Sequence, residues 1–227
     1  GGLGEILGEE ILKKNMWFEP AGGDLSLLLD LYRETWDSIY GNEAHLQLSA
    51  VESFAAVTPP EYCQNAFLQG EPAGVILSGG PNSVFEEGAP TVDPAIFEMG
   101  VPVLGICYGM QLMSQTLGGK VVPGAEREYG KMPIEVMPGN PLFDGIPSTI
   151  TAWMSHGDRV EAIPGNFERG AVSATCPFAA MFDNAKRLYA LQFHPEVVHT
   201  QYGTDILANF VFKVCGRARS GELATWA

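Results

Sequence analysis

Basic residues are scarce in this chain, and their scarcity excludes several classes of partner. The 227 residues include 13 Lys and Arg against 27 Asp and Glu, which gives a formal net charge of −14. Nucleic acids and anionic lipid surfaces attract basic proteins, so a chain this acidic has no general electrostatic affinity for either. We therefore expect no nucleic-acid partner and no membrane partner, although a basic protein surface could dock here.

Cysteines are also few, and long apolar runs are missing. The four cysteines form no Cys-x-x-Cys pair, which argues against a disulfide framework and a zinc site and favours a reducing cytoplasm. No apolar run approaches the ~20 residues of a membrane span. The first residues lack the basic start and apolar core of a signal peptide. Because no initiator Met is present, we expect a processed chain or an excised fragment.

The order of apolar segments predicts an α/β fold. Apolar strands at 74–78 and 101–106 flank a crossover helix at 94–99, and a helix follows the second strand. From about residue 120, short apolar segments separated by Gly, Pro and Asn predict antiparallel strands. We therefore expect three layers: a mostly parallel, flavodoxin-like open sheet flanked by helices, with added antiparallel strands.

One domain accounts for most of the chain. We expect a divergent N-terminal segment over 1–23, the domain over 24–216 and a C-terminal linker stub over 217–227. Inside the domain, apolar residues at helical spacing predict a helix over 24–40, and alternation predicts a strand over 44–51.

The most informative stretch centres on Cys107. An apolar strand ends in Gly105-Ile-Cys107-Tyr-Gly109, and a helical pattern follows. Glycines on both sides allow a sharp strand-to-helix turn, as in nucleophile elbows. A thiol at this turn lies beside the positive end of a helix, which favours the reactive thiolate. A buried structural cysteine explains the local pattern equally well.

Two further segments favour the reactive interpretation. His194 and Glu196 follow the strand 188–193, and in extended chain they point to the same side. A histidine held by a carboxylate and facing a cysteine activates a thiol nucleophile. Ser78-Gly-Gly-Pro81 is a turn at another strand end, whose N–H groups could bind an oxyanion. All three segments fall at the carboxyl edge of the predicted sheet, where reactive groups gather.

Other interpretations of these segments are weaker. His194-x-Glu196 could begin a zinc deaminase site, but no Pro-Cys-x-x-Cys follows. The glycine turn lacks the Gly-Lys-Ser/Thr end of a phosphate loop. His156 could be a metal ligand, but its neighbours in the sequence supply no partner. We therefore expect no metal site.

The three segments resemble the signatures of class I glutamine amidotransferases. The segments Glu126-Arg-Glu-Tyr-Gly130, Trp153-Met-Ser-His-Gly-Asp158 and Cys176-Pro-Phe178 further resemble the glutaminase portion of GMP synthetases, a branch of this family. One departure is the start of the chain, where the family's first strand and its Asp-Phe-Gly-Ser-Gln loop are not evident.

The resemblance implies a reaction and a set of residue roles. Cys107 attacks the glutamine side-chain amide, His194 transfers protons, and Glu196 orients His194. The remaining roles fall on backbone and side-chain groups around the nucleophile: the oxyanion hole would be formed by Gly80 and Tyr108, and glutamine would be held by Gln111, Ser155, His156 and Gly157.

The resemblance also implies a partner. Ammonia would pass to an ATP-pyrophosphatase (synthetase) domain or subunit that aminates XMP to GMP, so ATP and Mg would belong to that partner and this chain would need no cofactor. Two alternatives stay open: the glutaminase of another class I amidotransferase, and a partner-dependent regulatory module with a silent site.

Overall fold

The computed structural model describes residues 55–58, 74–77, 79, 82–89 and 91–216, with side chains left aside at 55–58 and 125–127. The predicted helix over 24–40 and strand over 44–51 lie outside the described residues. So do most of the glycine turn after residue 77 and both predicted terminal segments.

One eight-stranded sheet lies at the centre of the described chain. Its spatial order is β1-β2-β3-β8-β7-β6-β4-β5. The pairs from β1 through β3 to β8 are parallel, and every pairing beyond β8 is antiparallel. The strands are β1 (Ala55–Thr58), β2 (Gly74–Leu77), β3 (Val103–Ile106), β4 (Lys120–Val136), β5 (Thr149–Ala162), β6 (Glu168–Val172), β7 (Ala180–Asp183) and β8 (Leu188–Leu191).

Helices cover both faces of this sheet. The described helical elements are α1 (Tyr108–Thr116), α2 (Gly203–Ala208) with a π-helical continuation (Asn209–Val214), and 3₁₀ turns at Pro94–Glu98 and Pro141–Phe143. Successive strand residues face opposite sides: Val103 packs in a core cluster with Met110 of α1, whereas Leu104 packs in a second cluster with Ile206 of α2. The predicted α/β sheet between two helical layers is therefore confirmed.

The antiparallel part is longer than its sequence pattern predicts. The segments 120–122 and 132–137 are typical of separate strands, but β4 is continuous across them and pairs along its length with β5. The ladder shifts register between Pro123 and Glu128. Proline and glycine at 123–124 thus interrupt the pairing locally without ending the strand.

Helix α2 begins against the turn that follows β8. A Cβ atom on Gly203 would lie 1.9 Å from the carbonyl oxygen of Pro195, so only glycine allows this approach. The sequence pattern predicts Thr204 as the N-cap, but Tyr202 occupies that position without a side-chain capping bond. Among the described residues, no helix has the length and apolar character needed to cross a bilayer.

Candidate active site

Cys107 occupies a strained turn between β3 and α1. Its backbone has φ 51° and ψ −104°, a conformation that is costly for a residue with a side chain. The turn is held by two backbone bonds: the Cys107 N–H donates to the Leu191 carbonyl at 2.7 Å, and the Cys107 carbonyl accepts from the Gln111 N–H at 3.1 Å. The structure therefore has the geometry of a nucleophile elbow.

Two glycines make this elbow possible. A Cβ atom on Gly105 would lie 2.7 Å from backbone atoms of Gly109, and a Cβ atom on Gly109 would lie 2.1 Å from the Leu77 carbonyl oxygen. Backbone atoms cannot move aside as a flexible side chain can. The close packing of β2, β3 and α1 thus depends on glycine at both positions.

His194 and Glu196 form a buried pair after β8. His194 Nδ1 donates to Glu196 Oε1 at 2.6 Å, and both side chains are nearly inaccessible. The predicted strand 188–193 ends earlier, at Leu191, so the carboxylate reaches the ring through a turn rather than along extended chain. Proline at 195 favours such a turn, and burial of both polar groups in one place fixes their pairing.

Hydrogen bonds to β5 fix the backbone of His194. Its N–H donates to the Trp153 carbonyl at 3.0 Å. Its carbonyl accepts from the Thr200 hydroxyl at 2.5 Å, and the same hydroxyl accepts from the Trp153 N–H at 3.0 Å. These bonds hold the imidazole in place without using the ring nitrogens.

The imidazole of His194 meets the thiol of Cys107. A side-chain hydrogen bond joins the two, and because Nδ1 is bonded to Glu196, Nε2 is left for the sulfur. Burial lowers the pKa of His194, but the charges of Glu196 and Cys107 outweigh burial and hold this pKa well above its usual range. The arrangement favours an imidazolium beside a thiolate.

Gly79 closes this pair from the side of β2. A Cβ atom on Gly79 would lie 2.9 Å from His194 Cε1 and 3.5 Å from Cys107 Cβ. The described part of the glycine turn therefore touches both reactive groups. Gly80, the predicted oxyanion-hole residue of this turn, lies outside the described residues.

The other residues predicted for the site surround the elbow. Tyr108 is buried and opens α1 directly after the cysteine, so its N–H belongs to the positive end of that helix. Gln111 is buried and donates from Nε2 to the Asp158 carbonyl at 2.8 Å. The Ser155 carbonyl lies 3.5 Å from Cys107 Sγ. Ser155, His156 and Gly157 share one stretch of β5 beside the nucleophile.

Two features of the site escaped the sequence analysis. His156 has a partner, because Glu128 stands opposite it in the β4–β5 ladder with Oε2 3.1 Å from His156 Nε2. The Asp158 carbonyl accepts from both Gln111 and His156. The expectation that His156 lacks a partner is therefore wrong: the partner comes from the neighbouring strand, and cross-strand register is not visible in local sequence.

The fold and site together define a class of protein with a thiol nucleophile at the carboxyl edge of an α/β sheet. The family model for "Glutamine amidotransferase class-I" matches residues 28–214. The chain belongs to this family, which is a family of enzymes.

Relatives agree with this assignment. The chain is 57% identical over 143 residues to the glutamine-hydrolysing GMP synthase of Geobacillus kaustophilus, and 58% identical over 144 residues to that of Staphylococcus carnosus. Each alignment covers 63% of this chain and 28% of the relative, so the chain spans little more than a quarter of their length.

Solved structures show the same fold. A protein from Thermoplasma acidophilum, provisionally named as belonging to a GMP synthase, has a TM-score of 0.58 and 36% identity, over 68% of this chain and 77% of its own. A glutamine amidotransferase from Thermotoga maritima has a TM-score of 0.55 and 24% identity, over 80% and 74% of the two chains. The second likeness concerns the fold alone.

Proposed function

We propose that this chain hydrolyses glutamine to glutamate and ammonia through a thioester on Cys107. The observation that carries the proposal is the position of His194, which contacts the Cys107 thiol on one side and the Glu196 carboxylate on the other. A thiol alone in an apolar core would have no such partner, so the arrangement favours a nucleophile over a structural cysteine.

The first half of the reaction forms the thioester. The Cys107 thiolate attacks the side-chain amide carbon of glutamine, and the amide oxygen takes the negative charge. The N–H groups of Tyr108 and Gly80 stabilise this oxyanion. The imidazolium of His194 donates its proton to the amide nitrogen, the C–N bond breaks, and ammonia leaves.

The second half releases glutamate. The now neutral His194 accepts a proton from water, which attacks the thioester carbon and expels the Cys107 thiolate. Glu196 stabilises the imidazolium that forms in each half and keeps the ring oriented. The sum is glutamine plus water giving glutamate plus ammonia, with no cofactor on this chain.

Binding of glutamine falls to the surroundings of the elbow. Gln111 and the backbone of Ser155, His156 and Gly157 hold the substrate beside the sulfur. The contacts of Gln111 and Ser155 with Asp158 and Cys107 support this assignment, because they tie the binding segment to the nucleophile.

We further propose that the ammonia serves GMP synthesis. The relatives are named as GMP synthases, and this chain spans 28% of their length. An ATP-pyrophosphatase domain or subunit, with ATP and Mg, would use the ammonia to aminate XMP in purine biosynthesis in the cytoplasm. Residues 24–216 form the glutaminase unit, and 217–227 lead toward the partner.

The test is an ammonia-release assay on the chain alone and with the synthetase added. We expect glutamine-dependent ammonia that Cys107→Ala abolishes while the circular dichroism spectrum is kept. Wild-type rates in Cys107→Ala would exclude this nucleophile. Activity that responds only to a synthetase for a different acceptor would favour another class I amidotransferase.

A further inference from the structure

A second buried polar pair lies next to the thiol site and is not used by the proposed reaction. Glu128 of β4 faces His156 of β5, with Oε2 and Nε2 3.1 Å apart, and both side chains are largely buried. Neither of these atoms meets the geometry of an ordinary hydrogen bond, and Glu128 Oε1 is also buried without one. Buried polar atoms in this state call for an explanation.

The ring's other nitrogen decides which groups face each other. His156 Nδ1 lies 3.0 Å from the Asp158 carbonyl oxygen. A carbonyl only accepts, so Nδ1 carries the proton, and the neutral ring presents a lone pair at Nε2. An ionised carboxylate also presents only lone pairs. Two acceptors 3.1 Å apart repel each other unless a cation lies between them.

That cation could be a metal ion or a proton. Cys176 Sγ lies within 4.8 Å of both partners and would complete a three-ligand set. However, burial raises the pKa of Cys176 to about 12, which keeps it a neutral thiol, and the Arg159 guanidinium already supplies positive charge to the cluster. A proton satisfies the two acceptors without a thiolate and without a second positive ion beside the arginine.

The surroundings agree with one proton and no net charge on the pair. Burial lowers the pKa of His156 to about 4, so the ring is neutral near pH 7. Burial raises the pKa of Glu128 despite the opposing charge of Arg159, which favours the carboxylic acid. The Glu128 O–H then donates to His156 Nε2.

The pair lies where the sheet needs support. The β4–β5 ladder pairs Pro123 with Asp158 and then Glu128 with His156, so four residues of β4 bulge opposite a single residue of β5. Backbone bonds are therefore interrupted beside the segment 155–158. That same segment contacts Cys107 through the Ser155 carbonyl and Gln111 through the Asp158 carbonyl.

We propose that Glu128 and His156 share one buried proton and act as positioning residues, holding the backbone of 155–158 against Cys107 and Gln111 in the geometry that binds glutamine. This inference rests on the proposed glutaminase function. It assigns the pair to substrate binding rather than to the chemistry of the thiol, because neither side chain lies between Cys107 and His194.

Two variants of the full chain separate this role from a general structural one. Glu128→Gln keeps an N–H that can donate to His156 Nε2, so we expect a KM for glutamine within about threefold of wild type. Glu128→Leu keeps the volume but leaves Nε2 unpaired, so we expect KM to rise about 10-fold or more with a smaller change in kcat. Alkylation of Cys107 by iodoacetamide should stay within about twofold in both, since the thiol–imidazole pair is intact.

Four outcomes would overturn the proposal. These are equal loss in Glu128→Gln and Glu128→Leu, which would require the negative charge; unchanged KM in Glu128→Leu; parallel loss of alkylation; and stoichiometric bound metal in wild type that Glu128→Gln removes. Each has a distinct readout.

Nitrogen NMR of the wild-type imidazoles tests the pair even if Glu128→Leu fails to fold. We expect His156 to be neutral near pH 7 with its proton on Nδ1; a charged ring or a proton on Nε2 would overturn the shared-proton arrangement. An inactive wild-type chain with the expected tautomer would count against the proposed function and support the pair's geometry.

Discussion

At the scale of single residues, the reactive groups are defined by what cannot be added beside them. The imidazole of His194 lies between Glu196 and Cys107, and Gly79 closes the remaining side. A nucleophile and base must be held to within a fraction of an ångström for efficient proton transfer. The absence of a side chain at residue 79 is therefore part of the site.

We predict that Gly79→Ala lowers the glutaminase rate about 10- to 100-fold with little change in the melting temperature. The added Cβ would lie 2.9 Å from His194 Cε1 and push the ring away from the sulfur. Gly165→Ala is the matched control, since a Cβ at that position meets nothing within 4 Å. Wild-type kinetics in Gly79→Ala would show that the ring tolerates the displacement.

A second prediction at this scale concerns the stability of the fold above pH 9. Burial raises the pKa of Cys176 from 9.0 to about 12, so the unfolded chain loses this proton first and stability falls as pH rises between these values. From pH 8 to pH 10 the loss amounts to about 1.4 kcal/mol. Urea unfolding of wild type and Cys176→Ala at both pH values measures it: the variant should lose about that much less. Equal losses would mean that the thiol titrates normally.

At the scale of elements, the elbow depends on how closely α1 approaches β2. The first turn of α1 lies against the end of β2, with Gly109 in contact with the Leu77 carbonyl. This approach directs the start of the helix at the sulfur and sets the strained backbone of Cys107. The energy stored in that turn is held by the packing of the two strands and the helix.

We predict that Gly109→Ala destabilises the protein by about 3 kcal/mol or more and abolishes glutaminase activity. Its Cβ would lie 2.1 Å from the Leu77 carbonyl oxygen, so the helix must move off the sheet. Gln115→Ala, at an exposed position of the same helix, should change the unfolding free energy by less than about 0.5 kcal/mol. Denaturant unfolding of both variants checks this; equal stabilities would contradict the packing argument.

The same elements show which features can be predicted from sequence. The strand, elbow and helix around Cys107 follow from local periodicity and glycine spacing, and their bounds agree closely with β3 and α1. The Glu128–His156 pair does not follow, because it depends on the register of two strands with a four-residue bulge between them. The continuity of β4 was missed for a related reason, since Pro123 and Gly124 are normal at a bulge but indicate a strand end locally.

At the scale of the whole molecule, the dominant property is negative charge. A net charge of −14 gives the chain a long-range preference for basic surfaces. The relatives are more than three times as long as the part this chain matches. Under the proposed function, a synthetase unit would supply the complementary surface.

We predict that an added GMP synthetase unit raises the glutaminase rate of this chain and that the increase weakens with salt. Charge complementarity governs association rates, and the Debye length shrinks from about 10 Å at 0.1 M to about 3 Å at 1 M ionic strength. Ammonia release measured across this range checks the expectation. A salt-independent increase would assign docking to apolar contacts instead.

The most direct test of the account is the site of covalent modification by an electrophilic glutamine analogue. Because His194 and Glu196 activate one thiol only, we expect peptide mass spectrometry to find the label on Cys107 and on none of Cys63, Cys176 and Cys215, with Glu196→Gln slowing the labelling. Label on another cysteine, or equal labelling of all four, would contradict the claim that this thiol is the nucleophile.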